Sequence, residues 1–104
     1  MLFRSRGAAG GVAFSADKAQ RYLVISDMAN SKVWFLDRQD GKVVGSFGTM
    51  GDQAGMWFGL HMIDVDSQNN VYTGEVFAGQ RIQRFVPADS PRGKLLEQLS
   101  AMKW

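Results

Sequence analysis

The sequence predicts an all-β chain made of two four-stranded antiparallel units, with a short helix at the C-terminus. Three observations point that way. Short segments rich in β-branched and aromatic residues alternate with turns rich in Gly, Asn and Asp. One of those turns is Asp40-Gly41, a strong hairpin signal. The whole pattern also begins again about halfway along the chain.

The elements follow in order. Gly7 to Gly11 is glycine-rich, with no strand before it, and reads as part of a flexible lead-in spanning 1–11. Val12-Ala13-Phe14 opens the first apolar run, and Ser15 to Gln20 is a polar turn. Arg21 to Asp27 contains Tyr22-Leu23-Val24-Ile25 and reads as a strand. Met28 to Ser31 turns the chain into the strand Lys32 to Asp37. Asp40-Gly41 then leads into Lys42 to Phe47. Four strands joined by tight turns form a meander, the content of one propeller blade.

A glycine-rich connection, Gly48 to Gly59, is too polar for a core strand and has no helical period. Leu60 to Asp66 then alternates apolar and polar residues at the strand period of two. Ser67 to Asn70 is a turn, and Val71 to Glu75 and Arg81 to Val86 are strands. After Pro87, Ser90-Pro91 signals a helix start. Leu95, Leu96, Leu99 and Met102 follow at helical spacing, although Gly93 weakens the pattern.

The halves align. Val12-Ala13-Phe14 matches Met62-Ile63-Asp64, Leu23–Asp27 matches Val71–Glu75, and Lys32-Val33 matches Arg81-Ile82. The offsets, about 48 to 50 residues, lie within the range of propeller blade repeats. The expected organisation is a lead-in (1–11), two blades of a partial β-propeller (about 12–58 and 59–86) and a tail (87–104). A competing arrangement is two meanders within one barrel or sandwich. A single blade cannot bury both of its faces, so each half needs a neighbour.

Composition narrows the function. Of the 104 residues, 45% are hydrophobic and 21% charged, as in globular domains. Twelve basic and ten acidic side chains, spread along the chain, give no nucleic-acid footprint. The absence of cysteine excludes disulfides and thiolate metal sites. No apolar run reaches the roughly 18 residues that span a bilayer. The basic N-terminus has no apolar core after it and does not read as a signal peptide.

A set of spaced motifs carries a family resemblance. Phe47-Gly48, Gly55-Met56-Trp57-Phe58, His61 to Asp66, Asn70 to Glu75 and Gln80 to Phe85 resemble NHL-repeat β-propellers. The bacterial peptidyl-hydroxyglycine amidating-lyase-like group is the nearest in pattern. Asp27 to Val33 resembles the same signature in the first half, and the likeness covers about residues 12–86. It implies a propeller of about six blades, an extracytoplasmic location, and zinc or calcium if the chain is lyase-like. Two blades do not close a ring, so the resemblance implies missing blades or self-association as partners, with a protein or small-molecule ligand.

In such lyases a histidine at the place of His61 faces the central channel and binds metal. The first half has Gly11 at the matching place, and Leu60 replaces the family proline before the histidine. Asp27 and Glu75 end equivalent strands; they either line a channel or hold the next turn and pair with Lys32 and Arg81. Asp64 and Asp66 share a strand face by period two. Asp66 is expected to organise a turn with Asn69 and Asn70, while Asp64 has no such role. His61 is therefore the metal candidate, and Asp27, Asp64, Glu75 and Arg81 are the channel- or ligand-facing candidates. Trp34, Trp57, Phe58, Phe77 and Phe85 read as packing between blades, with Trp57-Phe58 as an alternative surface for a partner. Two functions compete: a non-catalytic binding module and part of a metal-dependent lyase.

Overall fold

A computed structural model of the chain describes residues 9–77 and 79–101. Three sheets follow one another. The first orders β1 (Ala9–Phe14), β2 (Tyr22–Asp27), β3 (Lys32–Asp37) and β4 (Val43–Phe47) as an antiparallel meander. A short parallel pair, β5 (Thr49–Met50) with β6 (Met56–Trp57), forms the connection. The last sheet orders β7 (Leu60–Val65), β8 (Val71–Glu75) and β9 (Ile82–Phe85), again antiparallel.

The expected blade content is present in the first sheet. In the second, no fourth strand follows β9 among the described residues. The chain turns at Pro87 and enters α1 (Pro91–Ala101). Ser90 caps this helix, its hydroxyl accepting from the Gly93 N–H at 3.0 Å, with Pro91 at the first helical position. Leu95 and Leu96 are exposed; Met102 lies outside the described residues, as do residues 1–8 of the lead-in.

Residues 9–11, expected within the lead-in, belong instead to β1. Gly10 serves a close approach rather than flexibility. A Cβ on Gly10 would stand 2.5 Å from the His61 carbonyl oxygen, so only glycine lets β1 lie against β7.

The two sheets repeat in detail. Each first strand carries an irregularity at the same point, between Ala9 and Gly11 in β1 and between Leu60 and Met62 in β7. Pairing Gly11 with Ser26 and Met62 with Gly74 makes Gly11 the counterpart of Met62. The alignment of Val12 with Met62 is thus corrected by one residue: Val12 matches Ile63, because the connection from Phe14 to Leu23 is longer than the one from Val65 to Val71. Equivalent turns follow. The Gln20 N–H donates to the Asp17 carbonyl, and the Asn69 N–H donates to the Asp66 carbonyl. Gln20 and Asn69 both have positive φ, as do Ser31 and Gln80, which precede β3 and β9. A single barrel has no reason to repeat bulge, turn and left-handed residues in this order.

The core lies between the sheets. Val24 and Val33 meet Trp57, Leu60 and Val71, with Phe35, Phe47, Ile63, Val65 and Phe85 around them. Trp57 is fully buried, its ring within 5.6 Å of Phe47 and 5.4 Å of Phe85 by centroid, and its indole N–H donates to the Thr73 hydroxyl at 3.0 Å. Gly48, at φ 106°, lies directly against that indole, where a side chain would collide. The connection read as non-core therefore supplies the central side chain of the interface.

Two aromatic assignments change. Phe58 and Phe77 are exposed rather than packed, Phe77 because it occupies a turn at φ 55°. Trp34 lies on the opposite face of the first sheet from Val33 and Phe35, beside Leu23, Ile25 and Leu36, as the period of two requires. The alternative of a Trp57 ring open to a partner is excluded by its burial.

Candidate functional site

Strand direction gathers four of the five candidates at one end of the sheets. Asp27 ends β2, Glu75 ends β8, His61 lies near the start of β7 and Arg81 immediately precedes β9. Asp64 lies toward the other end, where Val65 pairs with Val71.

Asp27 is almost fully buried. Its carboxylate accepts from the Ala29 and Asn30 backbones at 3.1 and 3.2 Å, from the Asn30 amide at 2.8 Å and from the Trp34 indole at 2.9 Å. These bonds hold the turn from β2 to β3. Lys32 faces Asp27 across the strands, but its ammonium donates to the Gly48 carbonyl at 3.2 Å.

Glu75 is the counterpart of Asp27 and does pair with its expected partner. The Arg81 Nε donates to its carboxylate at 2.5 Å, while Glu75 also accepts from the Phe58 N–H at 3.1 Å. The Arg81 guanidinium also donates to the carbonyls of Asp52, Gln53 and Met56. Arg81 thus ties the connection to the second sheet, with most of its donors engaged in that task. A buried carboxylate and a guanidinium in this arrangement make a structural clamp.

His61 is the irregular residue of the β7 bulge and is half-buried. Its carbonyl accepts from the Ser26 hydroxyl at 2.8 Å, which joins the two sheets at this end. By register its counterpart is Gly10, one residue before the expected Gly11. Neither glycine has a side chain that ligates. Among the described residues no three His, Asp or Glu side chains gather into a group able to hold a metal ion.

Asp64 is exposed, its carboxylate accepting from the Val65 N–H. Asp66 organises a turn as expected. It accepts from the Gln68 and Asn70 backbones, the Asn70 amide and the Tyr72 hydroxyl at 2.9 to 3.0 Å. The Asn70 side-chain bond, ahead of the others, lowers its pKa from 3.8 to about 2. Asp17 holds the matching turn of the first sheet, and the Ser15 hydroxyl leads the bonds that lower its pKa. The Asn69 carbonyl oxygen of the side chain accepts from the Ala16 N–H at 2.7 Å and links these turns. The two acids of β7 and its turn therefore work separately.

Sequence reasoning missed a cleft between the sheets, of about 750 Å³. Val24, Phe35, Phe47, Val65, Val71 and Phe85 form its apolar walls, and Asp17, Arg21 and Asn69 stand among its polar residues. The alternating apolar positions of β2, β3 and β8 were the available signal, but the cleft depends on how the sheets splay.

No protein-family model matches the sequence, and no curated protein matches it. Among solved structures, the chain is similar to the β-propeller domain of Cps50 (Swd1) from Myceliophteria thermophila. The TM-score is 0.58 at 20% identity, over 80% of this chain. The likeness shows a propeller fold. The chain spans 24% of the length of that propeller domain chain, which suits a partial propeller. No helix among the described residues is long and apolar enough to cross a membrane.

Proposed function

We propose that the chain is a pair of NHL-type propeller blades that serves as a protein-binding module, completed on its flanks by further blades or by other copies of itself. The observation that carries this reading is the direction of stacking. The face of β8 that packs on the first sheet bears Val71 and Thr73. Register makes Leu23 and Ile25 their counterparts, and these lie on the first sheet's far side. The sheets thus stack head to tail, and the same step can repeat at either flank. Such heterologous contacts close into rings when the rotation permits. Val12, Phe14 and Val43 on one flank, and Met62 and Ile82 on the other, are exposed apolar side chains at those positions.

Light scattering on the purified chain tests this reading. The expected mass is a multiple of 11.5 kDa, reduced to the single-chain mass by Phe14→Ser with Met62→Ser. A stable, folded particle of one chain's mass in the unsubstituted protein contradicts it.

One observation favours a second reading, in which His61 contributes to a metal-dependent lyase. Bulges re-aim side chains and recur beside active sites, and His61 occupies one. The described residues alone do not make a complete site, so other blades would have to supply the remaining ligands. Zinc titration of the assembled protein and of His61→Ala separates the readings. Equal zinc binding by both removes His61 from any metal site.

A further inference from the structure

The first sheet has four strands, whereas the second stops at β9, the counterpart of β3. Beyond β9 the chain turns at Pro87 and leaves as a helix. Among the described residues, β8 is the one strand paired with β9, and none pairs with the other edge of Ile82–Phe85. The inter-sheet cleft lies beside this strand, with Phe35, Phe47 and Phe85 along its wall. Charge is uneven here. Arg84 is exposed on the face of the sheet turned away from the cleft, and Arg84 and Arg92 border one shallow hollow.

We propose that the free edge of β9 is a strand-addition site for an extended peptide from a partner protein, apolar on one side and acidic on the other. The inference rests on the blade reading above and names where that module takes its partner. An added strand would supply the ladder that β4 supplies to β3 in the first sheet. Its backbone would pair with Ile82–Phe85, giving affinity without sequence restriction. Successive side chains of a strand point to opposite sides. One set therefore enters the cleft against Phe35, Phe47 and Phe85, which calls for apolar residues. The other set emerges beside Arg84, which calls for carboxylates. The site is continuous with the Trp57-centred interface, so filling it extends a core already formed.

A labelled eight-residue peptide alternating valine and glutamate is a suitable probe, titrated into the full chain. Expected are saturable binding, slowed amide exchange confined to β9, and at least a tenfold loss of affinity on N-methylation of alternate peptide amides. Arg84→Glu is expected to weaken this peptide about tenfold and to favour one alternating valine and lysine. Binding that is absent, or indifferent to N-methylation, overturns the proposal. So does protection, before peptide is added, of those β9 amides that face away from β8, as when another copy already covers that edge; the blade reading then stands. If contacts from Trp57 to Phe47 and Phe85 are missing from the chain's NMR spectra, the blade reading fails, and the proposal with it.

Discussion

At the residue scale, Trp57 holds the most consequential position. It fills the space between the sheets and has its indole N–H satisfied by Thr73. Removing such a side chain leaves a cavity that strands cannot close around, so Trp57→Ala is expected to lower stability by ~3–5 kcal/mol in chemical denaturation. Asp66 acts through charge. Its folded pKa of about 2 lies below the ordinary 3.8, so the contribution of its turn is present above pH 3.8 and lost as the pH falls through about 2. The lowered pKa of Asp17 adds in the same direction. Thermal unfolding followed by circular dichroism should show stability declining through that window, with a shallower decline in Asp66→Asn. An identical acid profile in the variant contradicts the assignment. Asp66 was readable from its spacing to Asn70, and Trp57 as a packing side chain between the blades; its central place in that interface was not, because its strand has only two residues.

At the scale of elements, strands were legible wherever β-branched and aromatic residues alternate, as in Tyr22–Asp27 and Leu60–Val65. The helix start was legible at Ser90-Pro91. The bulges were not, since the extra residue is Gly10 in one strand and His61 in the other, which share no chemistry. Arg81 shows the same limit. Its partner Glu75 could be inferred from the repeat, but its three carbonyl acceptors belong to a connection without secondary-structure signal. Because Glu75 is buried, removing Arg81 strands its charge, and Arg81→Met is expected to destabilise the chain by ~3–5 kcal/mol. Hydrogen exchange should then accelerate first between residues 52 and 58. Uniform acceleration across both sheets would argue against a local clamp.

At the scale of the whole molecule, propeller architecture was readable because a period of about 49 residues repeats several features at once. Its function was less readable, because a fold hosts many activities and the candidate side chains mostly serve the fold itself. Asp27 and Glu75 hold turns and the connection, while His61 remains a single imidazole. What the architecture does dictate is the shape of the flanks. The second sheet presents to the outside a face, with Met62 and Ile82 exposed, equivalent to the first-sheet face already buried, and Val12, Phe14 and Val43 stand exposed at the other flank, so the chain carries its own template for further association.

The central claim is that two equivalent sheets stack head to tail through Trp57. Cross-strand NMR contacts in the isotope-labelled chain test it most directly. The account predicts Gly11 opposite Ser26 and Met62 opposite Gly74, an interruption at Gly10 and at His61, and contacts from the Trp57 ring to both Phe47 and Phe85. Uninterrupted pairing in either first strand, or a Trp57 ring facing solvent, would contradict it.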